Sequence, residues 1–234
     1  MVMRKFLIKE RKNMTKNINR KKLYVGLFML ILIVSVSIAV KQPPFMTLPL
    51  TVSIFIMLLQ TSVNRYAFLI GGLNSIIYAI VYMCMGVYAS AWFALLFSCP
   101  LQIMTFLNWK KNAYKNSTVL KSLSTKARII LSIATAICLV VVFLILYKNG
   151  NTYAILDSMS SVLGVLVTFL SLLAYKEYPF VNLISGIIAI FLNTQICIND
   201  FSYLPYLIYS IYSFICIAIT ALSTHKLYKV QNEN

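Results

Sequence analysis

Acidic side chains are nearly absent from this 234-residue chain: Glu10, Asp157, Glu177, Asp200 and Glu233 are all of them. Of these, only Asp157 comes near the interior of an apolar run, at its end. Energy coupling through a buried carboxylate is therefore not expected. Asp157 is expected instead to cap a helix beginning around Ser158. Histidine occurs once, as His225, and neither HExxH nor GxSxG is present, which argues against a metal-dependent or serine hydrolase. The five cysteines, Cys84, Cys99, Cys138, Cys197 and Cys216, form no CxxC pair and read as small apolar side chains rather than disulfides or metal ligands. No GxxxxGK[ST] loop occurs, so the chain carries no ATPase of its own. An enzyme is not expected, and no cofactor or metal is implied.

What the chain has instead is apolar residues and positive charge. Hydrophobic residues make up 60% of it, charged residues only 11%, and the mean hydropathy is +0.83. A soluble domain with this composition would expose large apolar patches, so the chain reads as an integral membrane protein. The net charge of +16 suggests a nucleic-acid partner at first sight. The cations are scattered among short loops, however, with no domain to display them as one patch, so no nucleic acid is expected and membrane lipid is the partner.

Runs of about 18 or more apolar residues are long enough to cross a bilayer as helices. Eight are expected, near 23–40, 45–62, 66–87, 89–107, 129–147, 155–174, 178–198 and 201–222, the second being the weakest because it is short and contains Pro49. Threading the chain through them places 19 of the 21 Lys and Arg residues on one side, with only Lys41 and Lys148 opposite. Cytoplasmic loops retain Lys and Arg during insertion, so both termini are expected in the cytoplasm.

A gap-free shift of 112 residues pairs Tyr66 with Tyr178, Phe68 with Phe180, Ile76 with Ile188 and Ser98 with Ser210. Two three-span units separated by one extra span become parallel, because an odd unit repeated directly would invert. The expected fold is thus an all-α polytopic membrane protein with eight transmembrane helices, a 3+1+3 parallel-repeat core and one N-terminal accessory helix. The segments are 1–44, basic cytoplasmic N-terminus and accessory helix; 45–108, first three-helix bundle; 109–151, cytoplasmic linker and inversion helix; 152–224, second bundle; and 225–234, cytoplasmic tail.

Polar groups inside spans face the bundle interior or a wet cavity. Asn74, Tyr78 and Tyr82 share one helical face, as do Ser98, Gln102, Thr105 and Trp109. In the second unit Asn182, Ser185, Ala189 and Asn193 line a stripe, and Tyr206, Tyr209 and Ser213 another. Amides and aromatics without charge suit a flat, hydrogen-bonding ring that carries sugar hydroxyls. The substrate-binding set expected is Asn74, Tyr78, Gln102, Asn182, Ser185, Asn193 and Tyr209. The competing reading is interhelical hydrogen bonding. Trp92, Trp109 and Tyr147, near span ends, suit an interfacial belt.

Two short patterns carry a resemblance to a known family. Pro100-Leu101-Gln102-Ile103 followed by Trp109-Lys110-Lys111-Asn112, and Leu156-Asp157-Ser158 with Ser161, resemble the third and fifth core helices of the PnuC family of bacterial nicotinamide riboside and vitamin transporters, over residues 47–226. Family members commonly carry Trp-x-x-Trp and then Asn on the sixth core helix, where this chain has Tyr178-Pro179-Phe180-Val181 with Ser185. The resemblance implies a SWEET-like fold and a homotrimer in a bacterial cytoplasmic membrane. It also implies facilitated diffusion of nicotinamide riboside, or of thiamine, riboflavin or a deoxynucleoside, followed by cytoplasmic phosphorylation. A receptor or scaffold is the remaining alternative.

Overall fold

The structure, a computed structural model, describes residues 2–233, with side chains described from residue 21 onward. The side chains of most of the basic N-terminal run thus lie outside the described residues. Eight helices organise the described chain: α1 (Val2–Ala39), α2 (Pro44–Gln60), α3 (Tyr66–Cys84), α4 (Tyr88–Lys111), α5 (Thr125–Lys148), α6 (Ala154–Leu172), α7 (Tyr178–Asn199) and α8 (Leu204–Asn232). Seven contain a stretch long and apolar enough to cross a membrane. The exception is α2, whose 17 residues span only about 25 Å.

Proline punctuates these elements as its missing N–H dictates. Pro44, Pro179 and Pro205 stand in the first turns of α2, α7 and α8, where no intrahelical donor is needed. Pro100 follows a π-helical turn at Ala94–Ser98 within α4, a widening that accommodates the ring without ending the helix. Val63 and Ala174, at φ 51° and 59°, close the turns before α3 and α7, so the entries to the two helices beginning at Tyr66 and Tyr178 are built alike.

Six helices close a ring in the order α2, α3, α4, α6, α7, α8, with α8 returning to α2. The neighbour relations within α2–α3–α4 are those within α6–α7–α8. Outside the ring, α1 lies against α2 and α8, and α5 against α6. Only Leu146 of α5 is buried, so this helix presents apolar surface almost all round.

The two halves of the ring meet at two seams. At the seam of α4 and α6, Asp157 is fully buried, and its carboxylate accepts from the Ala89 and Ser90 amides, both at 2.9 Å, and from the Ser90 hydroxyl at 2.6 Å. The expected role of Asp157 as a cap for its own helix is therefore corrected. Because α6 already starts at Ala154, Asp157 lies in its first turn, and the free donors it meets are those opening α4. At the other end of the same seam α4 returns the service: Asn108 Nδ2 donates to the Leu172 carbonyl at 2.7 Å and Trp109 Nε1 to the Ser171 carbonyl at 2.8 Å. Each helix thus caps its neighbour. The second seam, α2 with α8, is joined by Tyr206 Oη donating to the Met46 carbonyl at 2.5 Å.

The polar linker is folded. Ala113–Tyr114 and Ser117–Thr118 pair as a short hairpin, and the Asn116 carbonyl accepts from the Arg65 amide at 3.0 Å. Lys121 exchanges backbone bonds with Ala174 and Lys176, at 2.8 and 2.9 Å. Glu177 accepts from the Leu123 amide, Ser122 Oγ and Arg128, while the Gln231 amide bridges Thr118 and Leu120. The linker therefore grips the ends of both halves.

Asp157→Ala is expected to cost about 2 to 3 kcal/mol, because three donors at the α4 start lose a charged acceptor, and Asp157→Asn less, since one acceptor oxygen remains. Thermal unfolding in detergent checks this. An unchanged unfolding temperature in Asp157→Ala would mean that the capping bonds contribute nothing.

Candidate substrate cavity

A cavity of about 300 Å³ lies inside the ring, and all six ring helices contribute to its wall. Small side chains open it. On α3, Gly71 and Gly72 let α4 approach so closely that a Cβ at 71 would stand 2.2 Å from Gln102 Oε1, and one at 72 would stand 3.1 Å from the Cys99 carbonyl. On α6, a Cβ at Gly164 would meet the Phe93 ring at 2.7 Å.

The α3–α4 wall carries a chain of hydroxyls ending in an amide. Ser75 Oγ donates to the Gly71 carbonyl and lies 2.8 Å from Ser98 Oγ, and Gln102 Nε2 donates to Ser98 Oγ at 2.6 Å. Gln102 Oε1 lies beside Gly71 and accepts no hydrogen bond among the described residues. Across the cavity Asn182 and Ser185 of α7 are half-buried and make no hydrogen bond among the described residues. Two polar walls thus face each other with unspent capacity.

Most of the residues expected in the site do line this cavity: Asn74, Tyr78, Gln102, Asn182, Ser185 and Tyr209. Their geometry separates them. Asn74 is 3% exposed and commits its Nδ2 to the Pro49 carbonyl and Ser53 Oγ, at 3.0 and 2.9 Å, so it joins α3 to α2 as well as walling the cavity. Tyr78 Oη lies 3.0 Å from Ser53 Oγ, and its ring stacks on Tyr82. Asn193 is not among the residues that wall this cavity, and its amide donates to the Ala189 carbonyl one turn back. A helical stripe gives a face but not a depth, and the cavity ends before residue 193.

Aromatic rings bound the cavity at both ends. Away from the linker, Tyr78, Tyr82 and Tyr209 line it and pack on the cluster that contains Tyr206 and Tyr212. At the linker end Phe68, Trp109 and Tyr178 meet edge to face, with centroids 4.7 to 6.4 Å apart. Trp109 is fully buried, which corrects its reading as an interfacial residue, whereas Trp92 and Tyr147 remain more than half exposed. Val181, at the position where the resemblance expects a second Trp, packs on this cluster.

The α2 and α6 walls were not anticipated. Asp157, Ser160, Gly164, Thr168 and Ser171 recur along α6 at helical spacing, a signal of the same kind as that read on α7. No Lys, Arg, Asp or Glu side chain lines the cavity among the described residues. Nor do those residues hold a cluster of three or more His, Cys, Asp or Glu fit for a metal.

The sequence profile described as nicotinamide mononucleotide transporter matches residues 44–221. The match begins at the first residue of α2 and leaves α1 outside. Among solved structures, the chain is similar to the crystal structure of the vitamin B3 transporter PnuC, with a TM-score of 0.76 at 18% identity, over 90% of this chain and 92% of that one. That likeness carries the fold. No curated protein matches the chain.

Trp109→Phe is expected to keep the ring packing, lose the bond to Ser171 and cost about 1 kcal/mol, whereas Trp109→Ala should cost about 3 to 5 kcal/mol. Unfolding in detergent separates these values from the near-zero change that an interfacial anchor would give.

Proposed function

The chain belongs to the nicotinamide mononucleotide transporter family and is a multi-pass membrane transporter rather than an enzyme, and from that premise we propose that it carries a phosphate-free nucleoside or vitamin, nicotinamide riboside first among them, by facilitated diffusion. The single observation that carries the choice is the charge-free cavity wall. A nucleotide brings about −1.5 to −2 charges on its phosphate, and burying them without a cation is costly. The riboside has no such group. Its pyridinium suits the faces of Tyr78, Tyr82 and Tyr178, while its hydroxyls and carboxamide suit Gln102, Asn182 and Ser185. At about 300 Å³ the cavity is at the small end of ligand sites, which favours a single-ring nucleoside over the three-ring riboflavin.

The passive reading is supported by how Asp157 is held. Its side chain is occupied by the α4 donors and is absent from the cavity wall, so it serves the seam between the halves rather than the substrate path. Net uptake then depends on chemistry after entry: a cytoplasmic kinase that phosphorylates the product makes a species the cavity rejects. We place the linker end in the cytoplasm of a bacterial membrane. This is supported by Arg65, Lys111, Lys115, Lys121 and Lys176, all at that end, with Lys41 and Lys148 alone among the described cations at the other. The segment boundaries expected from the sequence, 45–108 and 152–224 for the two halves, remain our proposal for the transport units. For the homotrimer, the exposed apolar surface of α5 offers a contact face.

In proteoliposomes, labelled nicotinamide riboside is expected to equilibrate to the same plateau with or without an imposed proton or sodium gradient, to accumulate when a kinase and ATP are sealed inside, and to be uncontested by the mononucleotide. Accumulation driven by an ion gradient alone would refute the passive reading.

Gln102→Ala is expected to weaken riboside binding roughly 5- to 150-fold, from about 1 to 3 kcal/mol for a buried substrate group left unpaired. Calorimetric affinity with unfolding temperature checks it. Unchanged affinity with lowered stability would assign Gln102 to helix joining and shift the reading head to Asn182.

A further inference from the structure

Outside the ring, α1 does not close on its neighbours along its whole length. Gly26 brings α1 against Leu58, since a Cβ there would stand 2.7 Å from a Leu58 methyl. Beside that contact an apolar cleft of about 590 Å³ opens between α1, the end of α2 and α8. Val25, Phe28 and Leu32 form one wall and Ile208, Ile211 and Ile215 the other. Among the described residues its charged lining groups are Lys21 and Lys22, both at the linker end. Lys22 Nζ donates to the carbonyl and hydroxyl of Thr61, both at 3.3 Å, which fixes the ammonium at the mouth with a proton to spare. Lys21 is exposed and unpaired among the described residues, and no carboxylate lines the cleft.

From Lys21 to Leu32 the cleft runs about 16 Å along α1, the depth of one leaflet of a bilayer whose apolar core is about 30 Å thick. Its volume over that length gives a cross-section of about 40 Å², half what a helix about 10 Å across would fill. We propose that this cleft is a binding site for one anionic diacyl phospholipid of the linker-side leaflet, its phosphodiester on Lys21 and Lys22 and an acyl chain between α1 and α8. The lipid would complete the packing of α1 on the core.

The test is retention of dioleoylphosphatidylglycerol against dioleoylphosphatidylcholine by the full chain in detergent, read by native mass spectrometry and by unfolding temperature. The wild type is expected to keep one phosphatidylglycerol per chain and to be stabilised by it over phosphatidylcholine. Lys21→Gln with Lys22→Gln should weaken this about 5- to 30-fold, whereas Lys9→Gln with Lys12→Gln, removing equal charge from the N-terminal run, should not. Filling the cleft with Ile211→Trp, or with Val25→Trp from the opposite wall, should abolish retention while both lysines remain. Equal retention of the two lipids, equal loss in both lysine pairs, or retention surviving either Trp would overturn the proposal. So would a Trp variant that changes oligomeric mass and leaves lipid retention intact, which would mark the cleft as a contact between copies.

Discussion

A buried carboxylate, with no cation beside it among the described residues, joins the two halves of this molecule at one of their seams. Taking Asp157 out of water costs several kcal/mol, and only good donors can offset that cost. They come from the opening turn of α4, whose first amides are free because no residue precedes them in the helix. The arrangement satisfies both needs at once, and the positive end of the α4 dipole adds to it. It also explains why the chain, with so few acids, places one where no solvent reaches.

The seam that results is reciprocal. Asp157 of α6 caps the start of α4, and Asn108 and Trp109 of α4 cap the end of α6, so two parallel helices are pinned to each other at both ends. Between the pins the Phe93 ring packs on Gly164, and small side chains make up most of the rest of the cavity side. Ser90, Ala94 and Ser98 face Ser160, Gly164 and Thr168, and the cavity occupies the space they leave. Fixing the ends by hydrogen bonds frees the middle of the seam from packing. That is how a protein of mostly apolar residues keeps a polar, open centre.

Much of this was legible in the sequence, and what was missed shares one cause. Span positions, the weakness of α2 and the stripes bearing Gln102, Asn182 and Tyr209 follow from hydropathy and from the helical period, which are properties of single segments. The trans cap of Asp157, the burial of Trp109 and the exclusion of Asn193 from the cavity depend on how one segment sits beside another. A helical wheel shows Trp109 and Gln102 on one face and is silent on what that face meets. The linker's bonds are of the same kind: its amides and carbonyls are spent on Arg65, Ala174 and Lys176, partners far away in sequence.

The two ends of the ring are held by different means. At the linker end a folded strap grips the Arg65 turn, the turn before α7 and the tail of α8, while at the opposite end the Asp157 carboxylate, the Tyr206 and Tyr203 hydroxyls and the Asn151 amide cross between the halves. On the passive reading proposed above, the site has to be exposed to each compartment in turn, and the two exposures would disrupt unequal sets of bonds. Their resting populations therefore differ, and the affinity measured from one face of the membrane differs from that measured from the other. Half-saturation becomes a property of direction, while the final concentration ratio across the bilayer does not.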